Sequence, residues 1–120
     1  MDFTTVLNLA QVIAVDFDGT LCRNEWPKIG PANHRLIKLL LERQQAPGVR
    51  LILWTCREGD LLRDAVRWCA AHGLVFDTQN QNVPERIAQY GGDCRKVSAD
   101  LYIDDRALSL LWGVCLCGAG

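Results

Sequence analysis

Short, continuous apolar runs recur along this chain and are typical of strands buried on both faces of a sheet. They predict strands over residues 12–17, 50–55 and 101–103, with a further short strand over 74–76. Between these runs, apolar residues recur at helical spacing. This second pattern predicts helices over residues 31–45, 58–72 and 84–90. Strands that alternate with amphipathic helices predict an α/β fold, with a mostly parallel central sheet and helices on both faces.

The segments outside these elements are less regular. Residues 20–31 contain Trp26, Pro27 and Gly30 and are predicted to form a loop. Residues 107–117 are predicted to hold a short helix and a last edge strand, through which we hypothesise a weak homodimer. The chain has 120 residues without a repeat or a linker, so we predict a single domain over 1–120.

Composition removes several classes of function. The formal net charge is −1 and no basic block is present, which weighs against stable nucleic-acid binding. No segment is apolar and long enough to span a bilayer, and the first residues lack the features of a secretory signal. The six cysteines are irregularly spaced, without the paired motifs of a zinc site. We therefore expect a cytoplasmic protein with reduced thiols and no membrane partner.

Polar side chains follow three of the predicted strands. Asp16 and Asp18 come at the end of the first strand, Thr55 ends the second, and Asp104 and Asp105 follow the strand over 101–103. In a parallel α/β sheet, ligands bind beyond the carboxyl ends of the strands. Two carboxylates this close are unfavourable unless a cation or a proton compensates their charge. The pattern therefore indicates a hard metal ion and chemistry on an anion.

The order of these residues resembles one known superfamily. Asp16-Phe17-Asp18-Gly19-Thr20, then Thr55, Lys96 and Asp104-Asp105, is similar to the motif order of the haloacid dehalogenase phosphohydrolases. The resemblance covers about residues 12–107. It implies a three-layer, Rossmann-like core, Mg²⁺ as cofactor, and phosphoryl transfer through an aspartyl-phosphate.

The resemblance also implies a role for each matching residue. Asp16 would be the nucleophile and Asp18 the general acid and base, while Lys96 would neutralise charge on the phosphoryl group. The residues expected around the phosphoryl group are Thr55, Cys56, Arg57 and Gly19. The residues expected around Mg²⁺ are Asp16, Asp18 through its backbone carbonyl, and the pair Asp104-Asp105. Either acid of this pair could take the inner position, and Asp105 is chosen as the direct carboxylate ligand with Asp104 beside it.

The mouth of the site is expected to be open. The interval between Thr20 and the first predicted helix is too short for a folded cap domain, so the chain resembles a capless member. Asn80 and Asn82 are expected either to rim the site or to cap a turn. Core packing is expected for Trp54. The expected substrate is a small phosphorylated molecule, either a nucleotide or a sugar phosphate.

Other functions are compatible with the same residues. A phosphate-binding or regulatory module can use such a pocket without turnover, and a phosphotransferase can pass the phosphoryl group to a second substrate. Taken singly, each motif residue also has a structural interpretation. Thr55 suits a helix cap, Lys96 a surface charge, and Asp104-Asp105 a charged turn.

Overall fold

The computed structural model describes residues 2–85, 87 and 98–105. Its elements in chain order are α1 (Phe3–Leu9), β1 (Val12–Val15), β2 (Cys22–Glu25), β3 (Lys28–Ala32), α2 (His34–Gln44), β4 (Arg50–Leu53), α3 (Gly59–Ala71), β5 (Thr78–Gln79) and β6 (Leu101–Ile103). Four of the strands form a parallel sheet in the order β5–β4–β1–β6. The predicted α/β class with a Rossmann-like parallel sheet is confirmed.

Both faces of the sheet are buried, which explains the continuous apolar runs. Ile13 and Val15 of β1 belong to the larger core cluster, which includes residues of all three helices: Leu7, Leu36, Ile37, Leu40, Ala65 and Cys69. Val12 and Ala14 point the other way and pack with Ile52 and Val83. Because successive strand residues face opposite sides, both sets must be apolar. Pro84 and Glu85 are helical, and the remainder of the predicted helix over 84–90 lies mostly outside the described residues.

The helix ends are set by capping residues. The second helix begins at His34 rather than Pro31, because the Asn33 side chain accepts a hydrogen bond from the Leu36 backbone N–H at 3.2 Å. Gly73, with φ +88°, follows the C-cap residue of α3 and ends the helix. The short helix α1 was not predicted. It is capped by the Asp2 side chain and buries Leu7, too small an apolar face to give a periodic signal.

The segment over 20–31 is a hairpin, not the predicted loop. Cys22, Asn24 and Glu25 pair with Ala32, Ile29 and Lys28 in antiparallel register. Three of the four residues of β2 are exposed and polar, so the hydrophobic alternation of a half-buried strand is missing. Gly30 permits the close pairing, since a Cβ built there would stand 2.4 Å from the Arg23 carbonyl oxygen.

The short strand predicted over 74–76 is also misplaced. Leu74 and Phe76 are buried and Val75 is exposed, which gives the alternation of a strand. Pairing with β4 nevertheless begins only at Thr78. The alternation therefore reports which side chains face the core, and it does not report backbone pairing.

Two boundaries matter for the site. The strands β1 and β4 end at Val15 and Leu53, earlier than predicted, so Asp16 and Trp54 lie just beyond them. Within the described ranges, no helix is apolar and long enough to cross a membrane. The segment over 107–117, with its predicted edge strand and dimer contact, lies outside the described residues.

Candidate functional site

A pocket of about 490 Å³ opens at the carboxyl ends of the central strands. It is lined by Asp16, Trp54, Thr55, Cys56, Asn80, Asp104 and Asp105. Two backbone hydrogen bonds join the ends of neighbouring strands. The Asp16 N–H donates to the Ile103 carbonyl, and the Trp54 N–H donates to the Val15 carbonyl, both at 2.9 Å. The parallel sheet thus brings together side chains that are far apart in sequence.

Asp16 stands at the end of the central strand and carries a perturbed carboxyl group. Burial raises its pKa to about 6, and the negative charges of Asp105, Asp18 and Asp104 add to the rise. The Phe17 N–H, which donates to Asp16 Oδ1 at 2.8 Å, opposes it. The site therefore concentrates negative charge around one partly buried carboxyl group.

Thr55 lies two residues beyond the end of β4, in a turn held by two polar contacts. Its N–H donates to Asn80 Oδ1 at 2.8 Å, and its Oγ1 accepts from the Arg57 N–H at 3.1 Å. Asn80 has φ +55° and donates its own N–H to the Leu53 carbonyl at 2.8 Å. Asn80 therefore both rims the pocket and fixes the turn, while Asn82 is buried and accepts from the Ser98 N–H.

The Arg57 side chain is buried in an ion pair and does not line the pocket. The side chain is only 1% exposed, and its Nε and Nη2 each donate to a carboxylate oxygen of Asp18 at 2.8 Å. The guanidinium also lies near the Phe17 and Trp26 rings, at 5.1 and 5.0 Å from their centroids. The contact with the Asp18 carboxylate raises the pKa of Arg57. The structure thus shows Arg57 in an internal ion pair, and its expected contact with a phosphoryl group stays a prediction.

Gly19 follows Asp18 in the turn after β1 and faces Asp105. Its φ of +83° allows the sharp turn after β1, and a Cβ there would lie 3.4 Å from the Asp105 Cβ. Its N–H donates to the Cys22 carbonyl at 2.9 Å. Its described contacts are therefore with the hairpin and Asp105, and its expected role beside a phosphoryl group stays a prediction.

Trp54 lines the pocket instead of the core. It is 38% exposed, and its ring meets the Tyr102 ring edge-on with centroids 5.6 Å apart. Core packing was expected for Trp54 because it continues the apolar run of β4. It is the first residue after the strand, where the fold leaves one side open to the pocket.

The predicted metal and phosphate residues are only partly brought together. Asp16, Asp104, Asp105, Thr55 and Cys56 line the pocket; the Asp18 side chain instead faces Arg57. Lys96 lies outside the described residues. Within the described ranges, no three acidic, cysteine or histidine side chains are gathered closely enough to hold a metal ion as they stand.

The donor chemistry nevertheless fits a hard cation. Three pocket carboxylates supply the oxygen ligands that Mg²⁺ prefers, and their repulsion contributes to the raised pKa of Asp16. A divalent ion would relieve that repulsion and hold Asp16 ionised. Asp16 and Asp105 with the Asp18 backbone carbonyl are the residues expected to hold it.

A solved structure of a conserved protein from Bacteroides thetaiotaomicron is similar to this chain. The two chains are 40% identical, the TM-score is 0.71, and the match covers 88% of this chain and 89% of the other. No protein-family model and no curated protein matches the chain.

Proposed function

We propose that this chain, which belongs to the same family as the conserved protein from Bacteroides thetaiotaomicron, is a Mg²⁺-dependent phosphomonoester hydrolase of the haloacid dehalogenase type. One observation carries the proposal. Asp16, Thr55, Asp104 and Asp105, which the sequence motifs select independently, line the same pocket. Their order along the chain and the half-buried position of Asp16 at the end of the central strand match phosphoryl transfer better than a solvated acidic turn.

In the first half-reaction, a carboxylate oxygen of Asp16 attacks phosphorus. The new bond joins phosphorus to Asp16, the bond from phosphorus to the ester oxygen breaks, and the departing oxygen takes a proton from the Asp18 carboxylic acid. Thr55 binds a phosphoryl oxygen through its hydroxyl group. Bound Mg²⁺ supplies positive charge that offsets the phosphoryl and carboxylate oxygens.

In the second half-reaction, water hydrolyses the aspartyl-phosphate. Asp18, now a carboxylate, removes a proton from the water as it attacks phosphorus, and Asp16 leaves as a carboxylate. Lys96 is the proposed counter-charge for the phosphoryl group during both steps. The net reaction consumes one water and releases an alcohol and inorganic phosphate.

The direct test is phosphate release from p-nitrophenyl phosphate. Wild type is expected to turn over with Mg²⁺ and to lose activity in EDTA, and Asp16→Asn is expected to be inactive because an amide oxygen is a poor nucleophile. Asp60→Asn is the matched control, since that side chain is 90% exposed on α3. Equal activity in EDTA, or full activity in Asp16→Asn, contradicts the proposal.

The same preparation separates the competing functions. A regulatory module would accumulate a stable aspartyl-phosphate without releasing phosphate, and a phosphotransferase would require a second acceptor. We propose hydrolysis because the pocket is open and no cap stands over it in the part of the chain that the structure describes. Phosphoprotein analysis after rapid acid quench measures how much covalent intermediate persists.

Trp54 bears on the substrate. An exposed indole at the pocket wall offers a face on which a planar ring can stack, which favours nucleotides over sugar phosphates. A panel of phosphorylated metabolites is expected to show higher kcat/KM for nucleoside monophosphates. We place this activity in the cytoplasm, where Mg²⁺ and nucleotides are present and thiols stay reduced.

A further inference from the structure

Arg57 is a buried cation whose described hydrogen bonds serve one carboxylate and one carbonyl. Nε and Nη2 bind the two oxygens of Asp18, and Nη2 also donates to the Lys28 carbonyl at 3.1 Å. Nη1 is buried with no hydrogen-bond partner in the described part of the chain. Burying a guanidinium is unfavourable unless it is well paired, so the fork-like contact with Asp18 defines this side chain's environment.

The β2–β3 hairpin holds Arg57 from the other side. Trp26 at the hairpin turn places its ring 5.0 Å from the guanidinium carbon, and Lys28 provides the backbone carbonyl. Phe17, which stands between Asp16 and Asp18, lies 5.1 Å away on the core side. Arg57 therefore contacts both the hairpin and the segment that carries the two acids.

We propose that Arg57 is a positioning residue for Asp18, and that the hairpin contributes to turnover by holding Arg57. A bidentate guanidinium fixes both the direction and the plane of a carboxylate, as a single ammonium cannot. Arg57 acts only through its two hydrogen bonds to Asp18. It restricts the Asp18 carboxyl group to a small set of orientations, in which the oxygen lone pairs that do not face the guanidinium carry the proton that passes to the departing oxygen. The inference rests on the proposed function, because it assigns Asp18 the role of acid.

The dependence on the leaving group tests this idea. An alkyl phosphate needs a proton on the departing oxygen, whereas p-nitrophenolate leaves readily without one. The ratio kcat/KM covers the steps up to departure of the leaving group, so it isolates the acid step from later hydrolysis of the aspartyl-phosphate. The two substrates to compare are glycerol phosphate and p-nitrophenyl phosphate.

Arg57→Met is expected to lower kcat/KM for glycerol phosphate by about 100-fold, the lower end of what a positioned acid contributes, and to affect p-nitrophenyl phosphate much less. Asp18→Asn is expected to give the same selective loss. Arg57→Lys keeps the charge without the fork and is expected to fall between wild type and Arg57→Met. Arg63→Met, an exposed arginine on α3, is the matched control and should leave both substrates unaffected.

The double variant gives the decisive comparison. If Arg57 acts through Asp18, Arg57→Met in the Asp18→Asn background is expected to cause little further loss. Losses that multiply, or equal losses on both substrates with a raised KM, mean that Arg57 acts on substrate or only on the fold, and overturn the inference. A rise in activity on glycerol phosphate means that Arg57 restrains Asp18, and also overturns it.

A variant at an exposed residue serves as the control for effects on folding. Asp18→Asn leaves the buried Arg57 guanidinium without its carboxylate partner. This variant is therefore the one whose fold is most at risk, because an unpaired buried charge is strongly destabilising. Trp26→Ala removes a 53% exposed ring and leaves the ion pair in place. It is expected to lower kcat/KM for glycerol phosphate selectively by about fivefold, as loss of one cation–π contact allows. No change in substrate selectivity would remove the hairpin from the proposal.

These outcomes are separable from failure of the proposed function. If wild type releases no phosphate from either substrate with Mg²⁺, the hydrolase proposal fails before Arg57 is tested. If wild type is active and Asp16→Asn is not, the hydrolase proposal stands whatever Arg57 does. Circular dichroism and thermal melting of every variant identify losses that come from unfolding.

Discussion

At the scale of single residues, Asp16 shows that burial and neighbouring acids make a negative charge in the pocket unfavourable. Its carboxyl group is partly buried and faces other acids, so its pKa of about 6 in the folded chain lies above the ordinary 3.8. The folded state therefore holds a proton on Asp16 more tightly than the unfolded state does. The stability that this proton contributes is fully present below pH 3.8 and is lost as pH rises through about 6.

This sign gives a prediction for the protein in EDTA. Asp16→Asn carries no charge at any pH, so its stability relative to wild type is expected to increase as pH rises from below 3.8 to above 6. Thermal melting of both proteins across that range measures the difference. Asp60→Asn, on an exposed part of α3, is the control for loss of one carboxylate away from the pocket. A wild type that gains stability relative to Asp16→Asn with rising pH contradicts the assigned charge environment.

The same scale separates what the sequence could predict from what it could not. Asp16, Thr55, Asp104 and Asp105 were predictable, because each follows an apolar run and parallel strands end at one edge. The pairing of Arg57 with Asp18 joins residues 39 positions apart through side-chain direction, which no local pattern encodes. The exposure of Trp54 was missed because composition does not show where a strand stops.

At the scale of elements, the turn after β1 depends on the backbone of Gly19. Its φ of +83° is strained for any residue with a Cβ. Gly48 has φ +80° with nothing within 4 Å of a built Cβ, in a turn remote from the acidic motifs in sequence. The two glycines thus share a conformation but differ in what surrounds them.

Alanine at either glycine is expected to lower the free energy of unfolding by about 1–2 kcal/mol, the cost of a left-handed conformation. Only Gly19→Ala is expected to lower phosphatase activity as well, because its Cβ would lie against Asp105 and the turn that orders Asp18 would shift. Urea denaturation and phosphate release measure the two effects. Equal activity in the two variants would show that the turn does not set the site.

Element boundaries were predicted less well than element types. The helices α2 and α3 and the strands β1, β4 and β6 were all anticipated, since their apolar residues repeat at a clear period. The hairpin was not, because three of the four β2 residues are exposed and polar and because its contact with Arg57 is made by a backbone carbonyl, which no side-chain pattern reveals. A short polar element held by tertiary contacts leaves little trace in hydrophobic periodicity.

At the scale of the whole molecule, metal binding and folding are expected to be linked. An ion that binds only the folded protein stabilises it in proportion to the logarithm of its concentration. Asp16 follows β1 and Asp105 follows β6, so the two residues come to the same edge of the sheet only when these strands pair. The unfolded chain therefore lacks the site. Mg²⁺ at 100 times its dissociation constant is therefore expected to stabilise the protein by about 2.7 kcal/mol.

Thermal melting with increasing MgCl₂ measures this effect, with NaCl of equal ionic strength as the control for screening. Asp105→Asn is expected to remove most of the Mg²⁺ response while it keeps the fold, because the Asp105 side chain is exposed at the pocket. A Tm that rises equally in NaCl, or a full response in Asp105→Asn, is incompatible with this assignment.

The β2–β3 hairpin, between β1 and α2, is a natural position at which to replace a segment of this fold. It lies between the acidic turn and the first large helix, so a transplant there leaves the order of the central strands intact. Yet the hairpin carries the carbonyl of Lys28 and the ring of Trp26 that surround Arg57. A graft must therefore bring its own acceptor and its own ring, or Arg57 loses two of the contacts that hold it beside Asp18.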